Sequence, residues 1–547
     1  MKLSLQHVLS AAMVIACAGA AVKAQDFSLR AEQVLVVYDD RIPDSLAVAE
    51  YYVGSAKVPG GAGGLVGSRP GVQVMNLNAS GAPLANTPDI TYAAFKPSFR
   101  TPIRQWLVAN DPLGRVRCIV LTKGLAHRVQ DSDAPTIGDD PLHNVEELSN
   151  GDLTCASVDS ELTLLQLNLD LNENGNRGDS FADGMIINPY HNQSLPVNAW
   201  NTRQRRNLRQ FDWLFTATAG TGVLARSRTI PTVQVLTPGD MFLVCRLDGN
   251  TVADVFAMID RARANVVNTD TAVVMLDDSR SNGIADPAAN GELDNDDFSD
   301  GVDSYLRIGD DDERTRDQFR ADGRFAAANI VYDAGNGPTG FLVGPRIDFG
   351  GGTVVNGPVV LVGTDGSNTG GTVPGNAGHD LPLSINWGPM GTYTSIESYN
   401  GRGLNGLGPM FNQSQIADAL SIAGGATFAI GNVYEPYAMT VPDCEVIGRN
   451  FYRGRLSWAE TAWSSLPVIS WQQIVIGDPL ARVVLSCQDI DGDGVWTIED
   501  LYAFEGSGAA ARSLDLNRSG TVDDTDRRLL DPSPRPADHV DMAGGQR

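Results

Sequence analysis

The stretch VLVVYDDRIPDSLAVAEYY, residues 34–52, sets the fold class. Val34–Tyr38 is an apolar run of strand length, and Pro43-Asp44-Ser45 then opens a helical pattern carried by Leu46, Ala49 and Val53. A strand that passes through a short polar turn into a helix is the first half of a βαβ unit, and its repetition builds a parallel sheet. The repetition is present. Phe99, Ile103, Trp106 and Leu107 form an apolar stripe at helical spacing, and Arg117–Thr122 is the next strand. Ser157–Leu167 reads as helix, Met241–Leu247 as strand, and Thr251–Ala264 as a helix with Val252, Val255, Phe256 and Ile259 on one face. Thr271–Leu276, Val359–Gly363, Leu381–Asn386, Thr427–Val433 and Ile474–Ile476 read as strands. Gln413–Ala423 and Ser457–Ser465 read as helices, the latter with Ser457 and Glu460 spaced as a capping box. The expected fold is α/β: a mostly parallel sheet flanked by helices over residues 25–485.

Two regions interrupt the alternation. Residues 54–90, rich in Gly, Pro, Ala and Asn, read as a long insertion, and the acidic residues 277–324 read as solvated loops rather than a metal site. Asp170, Asn172, Asn174, Gly175, Asn176 and Asp179 start like a calcium loop but place Phe181 where the closing carboxylate belongs. The glycine-rich run at 335–378 has no Walker lysine and no GxGxxG opening a helix, which excludes a nucleotide site of either kind.

Residues 1–24 have the form of a secretory signal: Lys2, an apolar run from Val8 to Val22, and Val22-Lys23-Ala24 as a small-x-small cleavage site. Losing Lys2 and Lys23 takes the net charge from −25 to −27, a balance that excludes nucleic-acid binding. Export to the exterior, the cell surface or a periplasm follows, and no later stretch is apolar enough to span a bilayer. With Cys17 in the leader, Cys118, Cys155, Cys245, Cys444 and Cys487 remain, an odd number with no zinc-like spacing. Cys118 and Cys245 lie inside apolar strand-like runs and read as buried thiols.

The chemistry is concentrated near the C-terminus. Asp489, Asp491, Asp493, Gly494, Val495, Thr497 and Asp500 form one acidic loop, and Asp515, Asn517, Ser519, Gly520, Thr521, Asp523 and Asp526 form a second. In each, oxygen side chains fall at positions 1, 3, 5, 9 and 12, glycine at 6, and a backbone carbonyl is offered at 7, the ligand spacing of a calcium loop. Position 8 is apolar in both, Trp496 and Val522, the residues expected to bridge the pair. A helix is expected after each loop, with Leu501, Phe504, Leu529 and Leu530 facing inward. Two bound calcium ions are expected, and position 12 is Asp rather than the longer bidentate Glu.

The tandem loops with DLN-x-SG-x-x-D at 515–523 resemble the dockerin family over about residues 488–535, leaving 536–547 as a tail. That resemblance implies a small all-α, EF-hand-like module that folds on calcium and plugs a secreted protein into a cohesin-like or cell-surface partner. Glu499 with Asp500, and Thr525 with Asp526, depart from the small hydroxyl pairs associated with cellulosome dockerins. Upstream, VLVVYDDRIPDSLAVAEYY, IVLTKGLAHRV (119–129), SVDSELTLL (157–165), FLVCRLDG (242–249), NVYEPY (432–437), LSWAETAWSSLPVISWQQ (456–473) and VIGDPLARV (475–483) together resemble an uncharacterised family of secreted bacterial proteins. The helix and strand leading into GDPL are also distantly similar to gingipain-type cysteine peptidases, which implies a caspase-like fold. Such a peptidase needs a His base and a Cys nucleophile after adjacent strands. Here Val359–Gly363 leads into Thr364-Asp365-Gly366, and Leu381–Asn386 leads to no Cys, leaving His379 with Cys444 as the remaining pair. His127, exposed in this reading, and Tyr434, Glu435, Tyr437 and Asp478 at strand ends are the other candidates, with catalytic residues otherwise unknown. The expected function is an exported calcium-binding protein that displays a catalytically silent α/β domain. The alternative is a secreted hydrolase, either a divergent cysteine peptidase or a dockerin-tagged glycosidase with two carboxylates at a sugar site.

Overall fold

A computed structural model of the 547-residue chain describes residues 27–130, 156–166, 186–200, 209–215, 222–229, 237–277, 311–333, 347–348, 354–364, 382–383, 385–395, 399–404, 416–434, 440–454, 456–493, 496–507 and 514–530. Among the described residues ten strands make the central sheet: β1 Val34–Tyr38, β2 Gln73–Asn76, β3 Cys118–Thr122, β4 Leu243–Leu247, β5 Val273–Asp277, β6 Ile330–Asp333, β7 Val359–Thr364, β8 Trp387–Ser395, β9 Phe428–Asn432 and β10 Gln473–Ile476. Their spatial order is β6-β5-β7-β8-β9-β10-β4-β3-β1-β2. β10 lies antiparallel to β9 and meets β4 only at Ile476 opposite Arg246; the remaining pairings are parallel. The fold is therefore α/β with a mostly parallel sheet, and β1, β3 and β4 are buried along their whole length and read as apolar runs, broken only by Thr122 at the end of β3 and Arg246 in β4, because both faces are covered.

Helices α1 (Pro43–Val53), α2 (Thr101–Asn110), α3 (Val158–Leu162), α4 (Val252–Arg261), α5 (Asp311–Asp322) and α6 (Trp458–Ser465) flank the sheet. Proline at its first position starts α1, where a missing N–H goes unused. Thr251 and Asp254 cap α4, and at the start of α6 the Glu460 carboxylate accepts from Ser457 N at 2.8 Å, the reach-back expected from their spacing. α1 and α4 pack on each other, with the Tyr51 and Phe256 rings stacked 4.0 Å apart. α6 is buried on all sides, and its Trp463 indole donates to Val244 O of β4 at 2.7 Å. Trp458, Trp463 and Trp471 are the largest fully buried side chains among the described residues.

Cys118 and Cys245 are buried, free thiols on neighbouring strands, as their apolar surroundings predict. Cys118 stands opposite Leu243, so Cys245 is offset from it by two residues. That offset separates the two Cα atoms by roughly 8 Å, beyond the ~7 Å reach of a disulfide.

Three parts of the sheet depart from the sequence reading. The supposed insertion at 54–90 contains β2, an edge strand paired on one side only, whose single buried residue, Met75, gives no apolar run. Its preceding glycine-rich segment folds over Glu50, whose carboxylate accepts from Ala62 N, Gly63 N and Ser55 Oγ, each at 2.7 Å. Residues 277–324 are not all loop, since α5 occupies 311–322. Its polar sequence DDERTRDQFRAD hides the one fully buried aromatic, Phe319, that pins it to the domain. β8 runs Trp387–Ser395 rather than Leu381–Asn386, because a Gly-Pro-Met-Gly segment that reads as turn is accommodated where the β7–β8 register shifts.

Candidate metal centre at the C-terminal loops

Both acidic loops fold with the same internal wiring. In the first, the Asp500 carboxylate at position 12 accepts from Ile490 N at 2.7 Å, Asp491 N at 3.4 Å and Thr497 N at 2.7 Å. In the second, Asp526 accepts from Leu516 N at 2.8 Å, Asn517 N at 3.1 Å and Asp523 N at 2.8 Å. These are the backbone amides of positions 2, 3 and 9 in each case. The amide of position 5 donates to the side chain of position 3 in both, Asp493 N to Asp491 at 3.1 Å and Ser519 N to Asn517 at 3.0 Å. Asp515 additionally accepts from Ser519 N at 2.9 Å and Gly520 N at 2.7 Å. Position 4 is left-handed in both loops, Gly492 at φ +80° and Arg518 at φ +57°, and Gly520 at position 6 has φ +89°.

This wiring turns the side chains of the odd positions toward one point. Asp489, Asp491 and Asp493 each bring a carboxylate oxygen within 4.8 Å of the others, a set of hard donors for a divalent cation. In the second loop the hydroxyl of Ser519 lies 3.1 Å from Thr521 O and 3.5 Å from Asp515 Oδ1, so positions 1, 5 and 7 converge. Asp500 and Asp526 are inaccessible to solvent, and burial pushes the Asp500 carboxyl up. Asp523 caps the following helix by accepting from Thr525 N at 2.7 Å, a bond that holds its carboxyl low. Gly494 and Val495 lie outside the described residues.

The expected helices follow the loops as α7 (Ile498–Ser507) and α8 (Asp524–Leu529). Leu501, Phe504, Leu514, Leu516 and Leu530 form a small core of their own, with Val522 and Leu529 packed against it. Trp496 does not pair with Val522 as a strand bridge among the described residues; its buried indole N–H donates to Leu530 O at 3.1 Å. A buried indole needs an acceptor, and the chain end of α8 supplies one.

The candidates in the α/β domain fare differently. His127 is fully buried rather than exposed, with Nε2 3.2 Å from Arg402 O; burial, then the Arg246 and Arg128 charges, holds it neutral far below the usual histidine range. The reading failed because a histidine three residues past Gly124 resembles a surface loop, whereas Leu125 O and Ala126 O accept from the buried Arg246 and His127 N donates to Pro88 O, which hold it in the core. Asp478 is buried and accepts from Tyr52 OH at 2.6 Å and Arg69 Nε at 2.7 Å, an anchor rather than an open site. Tyr434 is buried and its hydroxyl donates to Asp89 at 3.3 Å. Cys444 is buried, 3.2 Å from Thr394 Oγ1. His379, Glu435 and Tyr437 lie outside the described residues, as do the loop at 170–181 and the leader. Sequence reading missed the ionic centre beneath β4. Arg246 is wholly buried and pairs with Asp159 at 2.6 Å and Asp248 at 3.4 Å, while Lys123 reaches Gly249 O at 2.6 Å and Asp248 at 3.4 Å. A lone arginine in an apolar strand was the available signal, and its partner stands 87 residues away in the chain.

No family model, curated protein or solved structure matches the chain. No helix among the described residues is long and apolar enough to cross a membrane.

Proposed function

We propose that this is an exported calcium-binding protein whose paired C-terminal loops, a dockerin-like module, take two calcium ions and attach the large α/β domain to an extracellular partner of cohesin type or to the cell surface. The observation that carries the reading is the duplicated wiring. A position-12 carboxylate gathers the amides of positions 2, 3 and 9 in both loops, and the first loop's three aspartates bring their oxygens together. An acidic tail without an ion would have no reason to repeat that arrangement, since crowding carboxylates is unfavourable unless a cation neutralises them. The ligands of the first site are Asp489, Asp491, Asp493, Val495 O, Thr497 and Asp500; those of the second are Asp515, Asn517, Ser519, Thr521 O, Asp523 and Asp526. Their chemistry is binding and folding, and no catalytic dyad is part of the proposal.

Trp496, inside the first loop, gives the test. Terbium, a calcium substitute, should show indole-sensitised emission from the first site, which calcium competes away. Asp491→Asn should abolish most of that emission while Asp515→Asn leaves it largely intact. Absence of sensitised emission in the unaltered chain, or equal loss in both variants, would contradict the assignment of separate sites.

A further inference from the structure

We propose that the second loop is clamped onto the α/β domain through Arg518 and Gly323, so that its calcium ion and the α/β domain stabilise one another, while the first loop binds its ion independently. The proposal rests on the calcium reading above and adds to it a coupling between the modules.

The two loops differ where they should match. Position 4 of each has a left-handed backbone, a conformation that favours glycine. The first loop has Gly492 there, at φ +80° with open space around it. The second has Arg518 at φ +57°, a strained choice for a residue with a side chain. What the arginine gains is contact with the other domain. Its guanidinium pairs with the Asp270 carboxylate, and its Nε donates to Arg324 O at 3.4 Å. Beside it, the main chain of Asn517, the position-3 ligand residue, lies against Gly323. A Cβ on Gly323 would stand 2.2 Å from Asn517 O, and Gly323 itself has φ +75°, so only glycine allows this approach.

The surface receiving the loop is firmly held. Asp322 ends α5 and binds Arg324 at 2.5 Å as well as Arg453, and burial leaves Asp322 and Arg324 almost inaccessible. Asp270 belongs to the turn between Val267 and β5. That turn is fixed to the inter-module junction by Ser486 N donating to Val267 O at 2.9 Å and Thr269 N donating to Ser486 Oγ at 3.2 Å. Cys487 packs against the cores of both modules. Among the described residues, a Cβ at Gly492, position 4 of the first loop, would meet nothing within 4 Å. An ion that orders Asp515–Asp526 therefore orders the face that binds Asp270 and Gly323, and by linkage docking raises the affinity of that loop for its ion.

The experiment uses the full chain. Thermal unfolding is followed by near-ultraviolet circular dichroism, to which the buried Trp458, Trp463 and Trp471 of the α/β domain contribute, with and without saturating calcium, alongside a calorimetric ion count. Calcium should raise the α/β transition by several degrees. Arg518→Gly, which makes position 4 of the second loop like that of the first and relieves its strain, should keep two ions but lose at least half of that shift. It should also weaken one of the two sites several-fold. Asp270→Asn, which leaves the loop untouched, should do the same. Two ions bound with equal shifts in all three proteins would overturn the clamp and leave the calcium reading standing. No bound ion in the unaltered chain would overturn both.

Discussion

Replacing Arg246 by methionine is expected to destabilise the α/β domain by about 3–5 kcal/mol, the largest effect of any single substitution proposed here. Arg246 and Asp159 are both fully buried, and the guanidinium binds Asp159 along its edge and donates to Leu125 O at 3.1 Å and Ala126 O at 2.9 Å. Methionine fills much of the volume but leaves Asp159 a buried carboxylate without its cation and two carbonyls without their donor. Burial already pushes the Asp159 carboxyl up, with Arg246 pulling against it. Without Arg246 burial dominates over the remaining backbone hydrogen bond, so the folded variant holds a proton at pH values where the unfolded chain, whose Asp releases it around pH 3.9, no longer does. Its stability should therefore increase as pH falls from 7 toward 5. Urea unfolding of the variant at both pH values checks this. Arg246→Met combined with Asp159→Leu should recover much of the loss, because an apolar pair leaves no stranded charge. A single variant within about 1 kcal/mol of the parent, or a double variant worse than the single, would show that the pair does not hold the centre of the sheet together.

Removing Asp526 is expected to have the next largest effect, centred on the C-terminal module and reaching the α/β domain only through the contacts of Arg518 and Asn517. Its carboxylate closes the second loop by accepting from Leu516 N, Asn517 N and Asp523 N, and completes the capping box of α8. Alanine at 526 strands three amides and removes the closing ligand. Each lost charge-assisted bond is worth about 1.5–3 kcal/mol, and their combined loss is not additive. The second ion should be lost, and α8 should open often enough for trypsin to reach Arg527 and Arg528. A loss of about 3 kcal/mol corresponds to cleavage faster by roughly a hundredfold or more. Asp526→Asn, which keeps an acceptor oxygen, should fall between. Unchanged cleavage in Asp526→Ala would show that the loop closes without its position-12 carboxylate.

Much of this architecture is legible in the chain because periodicity and burial coincide. Val34–Tyr38 reads as a strand since parallel strands covered on both faces are continuously apolar, and Leu243–Leu247 does so with only Arg246 interrupting its apolar run. The elements that escaped carry their apolar content thinly. β2 buries one residue at a sheet edge, and α5 buries Phe319 amid acidic residues that read as solvated. The acidic loops were legible because their oxygen-bearing residues and turn glycines recur at the same fixed spacing in both. The contacts that tie the molecule together were not. Arg246 with Asp159, and Arg518 with Asp270, join residues far apart in sequence whose types alone announce no partner. His127 shows the converse, a residue whose local surroundings suggest a surface and whose tertiary position is the core.

The central claim is that the loops at 489–500 and 515–526 are calcium sites, and calorimetric titration of the metal-stripped full chain tests it most directly. The account predicts two calcium ions bound per chain in millimolar magnesium, with Asp489→Ala and Asp515→Ala each reducing the count to one. A flat titration, or two ions that persist in both variants, would contradict it.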